Sequence, residues 1–447
     1  MKNRIKIMLK ITSITLLSLI GSLGFWHLLS ARPHTEINDG PSQFKGAILA
    51  ASDADMLAVA YANGVLNKIQ GVEDSLTYIG ANGQILSQAH VSNSVVSWPS
   101  IIAWHPQHRL AYVAETRGIY KGEAQKVKDV WKEIPTGRVV SVLDYTNLVS
   151  PRLVQQKEIG ENIQGVAINH EGSLLAAGST ESGKEIAISR LNEGQIGKTY
   201  YFTEEDIETV DNNNSGIRTI EFHPSQNIIA ANLNNKQVVF YEIIENRSEL
   251  SLRKIGNSLT VAKHWSVGNW HPSGNYFILT DVAWGKGDLG AILNGKGKLV
   301  SVGFDANGSH RVISKTKVGL SPEGFDLSPD GNYAIACNMR RTYGPKNFWF
   351  VPARKGASLS LVKIDQATGE LTTLGKEYGF EGALPEDAIF DEESNSIAVA
   401  VFHKQDEDYP RQGWVEYWEL QNDRLIRTGQ KTYLTRGAHN LLLIPNR

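Results

Sequence analysis

Ser321-Pro-Glu-Gly-Phe-Asp-Leu-Ser-Pro-Asp-Gly-Asn-Tyr-Ala-Ile-Ala-Cys337 is the clearest copy of a unit that recurs along the chain. The stretch predicts a strand over 323–327, a Ser-Pro-Asp-Gly turn and a second strand over 333–337, because turn-forming residues separate two apolar runs. Equivalent turns recur, and their anchor residues are His105, Asn169, His223, His271, Ser328 and Asp391. The chain is therefore an array of repeats, and the repeat unit decides the fold.

Most repeats continue with two further apolar runs separated by polar turns, for example 359–364 and 371–374. The turn anchors are 64, 54, 48, 57 and 63 residues apart. Four short strands in every ~40–60 residues are typical of the blade of a β-propeller. A parallel α/β fold is disfavoured because no long helical pattern separates the strands.

The two ends of the chain predict how the ring of blades closes. Residues 437–446 repeat the inner-strand pattern, and too few residues follow to form the other three strands. We expect 56–61, 76–79 and 85–90 to complete this blade, since open sheet edges invite aggregation. The prediction is an all-β, seven-bladed propeller of four-stranded blades over 46–447. Residues 47–52 also match the inner-strand pattern, which leaves eight blades or an extra outer strand as alternatives.

The turns resemble those of the YVTN-repeat and lactonase-type seven-bladed propellers, which are common in bacteria. The resemblance covers most of 46–447 and rests on Phe325-Asp-Leu-Ser-Pro-Asp-Gly-Asn-Tyr333, Trp270-His-Pro-Ser-Gly-Asn-Tyr276 and Ile220-Glu-Phe-His-Pro-Ser225. WD40-like propellers share this pattern, so the resemblance implies the fold more specifically than an activity. The family includes lactone hydrolases, a cycloisomerase and many binding proteins. No motif here matches a catalytic residue of the family, and a fold by itself does not assign a function.

Composition narrows the class of partner. Lys and Arg number 45 against 47 for Asp and Glu, so the chain lacks the basic excess of a nucleic-acid binder. Cys337 is the only cysteine, which excludes an internal disulfide. Because it lies in an apolar strand, we interpret it as a core residue and not as a nucleophile.

The N-terminal segment predicts contact with a membrane. Four basic residues precede residues 11–30, an uncharged run rich in Ile and Leu. A run of this length is enough to cross a hydrocarbon core about 30 Å thick. We predict a membrane anchor or signal peptide over 1–31, a linker over 32–45, and an extracytoplasmic body that is periplasmic or at the cell surface. An uncleaved anchor is favoured over secretion because Leu29-Ser30-Ala31 is a poor cleavage site.

Aligning the repeats places one residue of each inner strand at the same mouth of the central channel. All seven are polar: Ser100, Gln164, Arg218, Ser266, Glu323, Glu386 and His439. The competing strand 47–52 has Ala47 at this position. Convergent polar groups in a concavity predict a binding site, whereas the simpler interpretation is that inner strands begin in solvent.

The loops after the second strands are predicted to hang over this mouth. They are long at 115–136, 281–288, 339–357 and 403–413, and short near Ser182 and Asn235. Insertions in repeat proteins collect on the binding face. The candidate polar ligands are Glu115, Arg117, Arg340, Arg341 and His403, and the candidate aromatics are Tyr120, Trp131, Trp284, Tyr343 and Tyr409. Arginine suits a carboxylate or phosphate, and the alternative is a set of solvated loops whose aromatics pack on their own blades.

The sequence identifies no cofactor. His105, His223 and His271 occupy equivalent turns of separate blades, so symmetry spreads them over the opposite face and disfavours a shared zinc site. Glu323, Glu386 and His439 come from consecutive repeats, and a divalent cation is the metal hypothesis that they support. The acidic run 204–208 is predicted to be a solvated insertion.

Three functions follow from these patterns. The favoured one is an extracytoplasmic propeller that binds a small molecule or a partner protein at the mouth with its long loops. The second is a lactonase-like hydrolase of a sugar lactone or related ester. In it, Glu323, Glu386 or His439 acts as general base or holds a metal, and Arg218 or Arg340 stabilises the oxyanion. The third is a structural subunit of an assembly.

Overall fold

The computed structural model of the chain describes residues 32–203, 216–246, 249–285, 290, 293–344, 351, 353–405 and 407–445. These residues form seven sheets of four or five strands, whose four main strands are antiparallel and which are arranged as the blades of a β-propeller. The predicted seven-bladed fold is confirmed. The predicted anchor over 11–30 and the acidic run 204–208 lie outside the described residues. Within those residues, no helix has the length and apolar character that a membrane crossing needs.

Each blade has four main strands, which run from the channel outward. Blade 1 is Ala438–Ile444, Ala47–Ser52, Ser75–Ile79 and Ile85–His90; blade 2 is Ile102–Trp104, Leu110–Ala114, Val139–Asp144 and Arg152–Glu158; blade 3 is Ile163–Ile168, Leu174–Ser179, Ile186–Asn192 and Gln195–Phe202; blade 4 is Ile217–Phe222, Ile228–Leu233, Gln237–Asn246 and Glu249–Lys254. Blade 5 is Trp265–Trp270, Tyr276–Asp281, Lys296–Gly303 and Arg311–Leu320; blade 6 is Pro322–Leu327, Tyr333–Asn338, Ala357–Ile364 and Leu371–Phe380; blade 7 is Ala388–Phe390, Ser396–Val401, Gln412–Gln421 and Arg424–Thr435.

In the described part of the chain, four short elements lie outside the main strands of the blades. Leu259–Thr260 pairs with the third strand of blade 4, and Ile37–Asn38 pairs in parallel with the outermost strand of blade 7. Two single-turn helices, Ala60–Asn63 and Val130–Glu133, lie in the loops that follow the second strands of blades 1 and 2.

Blade 1 joins the two ends of the chain. The C-terminal strand Ala438–Ile444 is the innermost, and Ala47 pairs with Ile444 at one end of the ladder. Residues 47–52 are thus the second strand of this blade. The sequence patterns had not assigned them to any strand of the seven blades. The prediction that 56–61 forms that strand is wrong, because part of it belongs to the helix Ala60–Asn63 within a long loop. Residues 47–52 and 56–61 are both apolar enough to form this strand. Residues 47–52 form it because they pair with the C-terminal strand Ala438–Ile444.

The Ser-Pro-Asp-Gly turn of blade 6 is held by its own side chains. The Ser328 hydroxyl donates to Asp330 Oδ1 at 2.6 Å and accepts from the Tyr333 amide at 2.9 Å. Gly331 has φ +74°, the left-handed conformation that glycine adopts without a Cβ penalty. The strands on either side, Pro322–Leu327 and Tyr333–Asn338, extend the predicted ones by a single residue each.

Three of the turn histidines connect neighbouring blades. His105 Nε2 donates to the Gly172 carbonyl at 2.9 Å, and His223 and His271 make the same bond to Gly274 and Gly331 in the next blade. In each ring Nδ1 accepts a backbone N–H of its own turn. Both nitrogens are therefore occupied, and each histidine lies at a different blade junction. These contacts explain the histidines structurally, as predicted from their spread around the ring.

Removing the C-terminal strand tests the closure. A chain that ends at Arg436 lacks the inner strand of blade 1 and exposes the edge of Ala47–Ser52, so we expect soluble monomer to fall about tenfold. A chain that ends at Ile444 keeps the strand and should match the full chain. Size-exclusion chromatography and circular dichroism measure both, and equal yields of folded monomer would contradict this account of closure.

Candidate functional site

The seven aligned polar residues lie where the inner strands begin, at one end of the channel, and all of them are buried. We call this end the mouth face, defined by Ser100, Gln164, Arg218, Ser266, Glu323, Glu386 and His439, and we call these residues the ring. The opposite end, with the turns at His105, His223, His271 and Ser328, is the turn face. The interpretation that inner strands begin in solvent is therefore excluded for these positions.

A connecting segment covers the ring. Residues 91–99, named the strap, lead from the outer strand of blade 1 to the inner strand of blade 2 and cross the mouth face. At one end Asn93 contacts His439, and the Val95 amide donates to Asp53 Oδ2 at 2.8 Å. At the other end Trp98 packs against His264 and Trp284, from the side of blades 4 and 5. The strap spans the channel, and no sequence pattern predicted it because the segment has no periodicity.

Arg218 is the cation of the ring, and two of its nitrogens donate hydrogen bonds within the protein. Its Nε donates to Gln164 Oε1 at 3.1 Å and its Nη2 to the Val96 carbonyl at 3.1 Å. The guanidinium also lies 4.4 Å from the ring centroid of Trp98, a cation–π contact. Burial lowers the pKa of Arg218 to about 10, against the opposing charge of Glu323. The predicted oxyanion-stabilising group thus holds the strap in place.

Glu386 and His439 bring a carboxyl and an imidazole of the ring close together. The amide nitrogen of Asn93 donates to the Ser52 and Val91 carbonyls, so its oxygen is the acceptor for His439 Nε2 at 2.8 Å. This bond leaves the lone pair of His439 Nδ1 facing Glu386 Oε2 at 3.8 Å. Neither atom has another hydrogen-bond partner among the described residues. Glu386 and His439 are therefore an acid and a base whose facing atoms, 3.8 Å apart, are too distant for a hydrogen bond.

Burial keeps this pair neutral. It raises the pKa of Glu386 well above its usual range, with further contributions from Glu323, Asp53 and Asp387. It lowers the pKa of His439 to about 3. The contact is therefore a carboxylic acid beside a neutral imidazole and not an ion pair. Burial also raises the pKa of Glu323 to about 8, although the Arg218 charge opposes the rise.

A group of three carboxyls lies beside the ring, and the sequence analysis missed it. Ligand atoms of Asp53, Asp55 and Asp74 lie within 4.8 Å of one another, and among the described residues this is the set whose spacing suits a cation. The proposed trio of Glu323, Glu386 and His439 does not meet this spacing. Asp74 accepts from the Ala54, Asp55 and Asn93 amides, so much of its ligand capacity is taken.

The charge of these carboxyls has compensation within the protein. Burial raises the pKa of Asp53 well above its usual range, and it also raises the pKa of Asp55, although the hydrogen bond from Asp53 opposes that second rise. Buried Arg436 supplies positive charge, held by the Ala54, Pro410 and Asn67 carbonyls. These contacts account for the cluster as part of the protein core. An Asp-x-Asp directly after a buried strand was the available signal.

The predicted loop residues do lie on the mouth face, and most serve the loops themselves. Arg117 donates to the Trp131 carbonyl, Arg340 to the Lys355 carbonyl at 2.8 Å, and Arg341 to the Asn294 carbonyl at 2.7 Å. Glu115 accepts the Arg138 amide at 3.2 Å. His403 is buried, which lowers its pKa to about 4. A ligand role for these side chains stays a prediction.

Apolar residues from several loops seal the mouth above the ring. Val95 of the strap packs with Ala58, Met339, Leu384 and Phe402. The aromatics Tyr61, Trp284 and Tyr343 pack against this cluster. Of the predicted aromatics, Trp284 and Tyr343 thus belong to the seal, whereas Trp131 and Tyr409 remain exposed.

Two depressions lie on the turn face. One of about 750 Å³ is lined by His223, Tyr276, Phe304 and Arg311, and one of about 480 Å³ by Asp330, Tyr333 and Asp423. Both are at the opposite end of the molecule from the ring. They are open surface grooves between neighbouring blades.

Solved propellers share this architecture. A proposed 6-phosphogluconolactonase from Bacteroides uniformis covers 90% of this chain and 100% of its own, with a TM-score of 0.58 and 14% identity. The chain has the fold of the lactonase-type seven-bladed propellers. The periplasmic gluconolactonase of Pseudomonas aeruginosa covers 89% of this chain and 99% of its own, with a TM-score of 0.61 and 15% identity. A proposed 6-phosphogluconolactonase from Bacteroides fragilis covers 91% and 100%, with a TM-score of 0.61 and 14% identity.

These similarities establish the fold and leave the activity open, because fold and function are separable. No protein-family model matches the sequence, and no curated protein matches it.

The raised pKa of Glu323 predicts a dependence of stability on pH. Its pKa is 4.5 in an ordinary environment and about 8 in the fold, so between these values the unfolded chain releases the proton and the folded chain retains it. Stability therefore falls as pH rises through this window, by at most about 1.4 kcal/mol per pH unit for one group. Glu323→Gln should flatten this decline in urea unfolding measured from pH 5 to 9.

Glu171→Gln, which removes an exposed carboxylate, is the control and should leave the decline unchanged. If Glu323→Gln and the control show the same pH dependence, Glu323 does not titrate in this window.

The single cysteine reports whether the strap closes the mouth. Cys337 is buried, its neighbour across the ladder is Gly324, and its thiol donates to the Pro385 carbonyl beside the ring. Trp98→Ala removes the contact with Arg218 and should raise the rate at which a disulfide reagent labels Cys337, by about tenfold under native conditions. Trp131→Ala, which changes an exposed tryptophan of the same face, is the control. Equal rates in the two variants would contradict the closing role of the strap.

Proposed function

We propose that the protein is an extracytoplasmic propeller, tethered through residues 11–30, that acts as a binding module through the outer surface of its mouth face. The observation that carries this proposal is that the protein itself uses Arg218, the cation of the ring, to hold the strap. The strap covers the ring, and the arginines beneath and around it are bonded to Gln164 or to backbone carbonyls. Recognition of a ligand or partner then depends on the side chains that the long loops expose.

The loops supply a surface suited to this role. Four large hydrophobic side chains are exposed on the mouth-face loops of blades 2, 5 and 7: Ile119, Trp131, Leu293 and Tyr409. Large exposed apolar side chains that gather on one face of a protein mark interaction sites more often than scattered ones do. The short loops of blades 3 and 4 contribute none of them.

A lactonase-like hydrolase is the second candidate, and the Glu386–His439 pair favours it. In such an enzyme His439 Nδ1 would accept a proton from an attacking water, and Glu386 would donate one to the leaving oxygen. Three features weigh against it. A base with a pKa of about 3 has little drive to take a proton near neutral pH, Arg218 is already bonded, and substrate would have to displace the strap.

Two measurements separate these functions. We expect a fusion of alkaline phosphatase to the C-terminus to be active in cells, because that enzyme folds only outside the cytoplasm. We also expect the purified protein to hydrolyse neither glucono-δ-lactone nor 6-phosphoglucono-δ-lactone above the spontaneous rate. Hydrolysis that Glu386→Gln abolishes and Glu171→Gln preserves would replace the binding proposal by the hydrolase. An inactive phosphatase fusion would overturn the extracytoplasmic location.

A further inference from the structure

The linker shows where the N-terminal segment leaves the propeller. Arg32 Nη2 pairs with Glu381 Oε1 at 3.0 Å, directly after the outermost strand of blade 6 reaches the mouth face. The carbonyl of Pro33 lies where a Cβ would stand on Gly379, so the backbones touch at this point. The chain then descends along the edge of blade 7, and the Lys45 amide donates to Asp391 Oδ2 on the turn face at 3.1 Å.

This path fixes the distance between the anchor and the mouth face. Residues 11–30 are the apolar run, and two residues further on Arg32 is held by Glu381. An extended chain advances at most about 3.5 Å per residue, so two residues allow a reach of no more than about 7 Å from Arg32. The turn face is at least about 20 Å further away, because a six-residue strand spans roughly that length.

The mouth face exposes large apolar and aromatic side chains, which suit a surface held close to a membrane. Tyr409 is 71% exposed and Leu293 is 63% exposed, on the loops of blades 7 and 5, and Trp131 and Ile119 add apolar surface from blade 2. Tyrosine and tryptophan are the residues that prefer the interface between lipid and water. Near the turn face, by contrast, the large apolar side chains that the described residues expose are aliphatic, including those of Ile85, Val149 and Leu153.

The charges of the blade 2 loop indicate the kind of membrane surface that this loop could contact. The blade 2 loop carries four exposed lysines together with Glu123, Asp129 and Glu133, so its two signs nearly balance. A surface that relied on anionic lipid would show a basic excess. Contact through apolar and aromatic side chains does not need that excess.

We propose that the mouth face rests on the bilayer that holds the anchor, with Tyr409, Leu293, Trp131 and Ile119 in the lipid interface. The inference rests on the tether of the proposed function and names the partner of its binding surface. The propeller then stands with its channel axis near the membrane normal, and the turn face, with its two grooves, points away. The ring lies between the strap and the protein core, shielded on its open side by lipid.

The test uses the full chain, purified in detergent and reconstituted into phosphatidylcholine vesicles that carry a nitroxide on the headgroup. Cys337→Ala removes the native thiol, and single cysteines then replace Tyr409 or Leu293 on the mouth face. Leu153→Cys near the turn face is the matched control for Leu293, since Leu153 is also exposed, at 50%. Each variant is labelled with an environment-sensitive fluorophore.

We expect the mouth-face labels to shift to shorter emission wavelength and to be quenched several-fold more than the label at 153, in vesicles with or without anionic lipid. A chain that does not float with the vesicles overturns the tether, and with it this inference. A chain that floats but quenches equally at 409, 293 and 153 keeps the tether and overturns the orientation. Labels on the mouth face that remain in water would overturn the bilayer contact and leave that face to a protein partner.

Discussion

Every feature of the mouth face depends on the pairing of Ala438–Ile444 with Ala47–Ser52. The chain has no disulfide, so this ladder of hydrogen bonds and the apolar contacts around it are what hold the ring shut. Closure places His439 next to Asn93 and Glu386, and it places Arg436 under the carboxyls of Asp53 and Asp55. Contacts between such distant parts of a sequence form slowly, because loop-closure entropy must be overcome before they stabilise the fold.

The closed ring gathers ionisable groups where water does not reach them. An isolated charge in such a place is costly, and the protein meets that cost in two ways. The acids, Glu386 and Asp53 among them, retain protons, and the cations, Arg218 and Arg436, take carbonyl or amide oxygens as partners. The arginines of the mouth are thereby held in place, and the facing atoms of Glu386 and His439 remain without a hydrogen-bond partner among the described residues. The exposed loop tips are then the chemically available part of this face.

Sequence patterns predicted what is periodic and failed on what is not. The turn at Ser328 and the alternating strands around it repeat, so seven blades and the seven ring positions followed by alignment. The second strand of blade 1 was misplaced because two apolar runs fit it, and only pairing with Leu441 and its neighbours decides between them. The strap and the long loops have no period. Nothing local therefore indicated that Trp98 would cover Arg218, or that Arg340 and Arg341 would bond to backbone carbonyls.

The histidine hydrogen bonds between neighbouring blades make the stability of these junctions sensitive to acid. His105 and His223 each donate a hydrogen bond through Nε2 to the neighbouring blade and accept one through Nδ1. Only a neutral imidazole can make both bonds, because a protonated ring has no acceptor. Burial lowers the pKa of both groups, so acidification favours the unfolded chain as pH falls through their ordinary range. The carboxyls of the mouth respond in the opposite sense, because their retained protons favour the fold at low pH. The two ends of the channel therefore contribute opposite pH dependences to the stability of the fold.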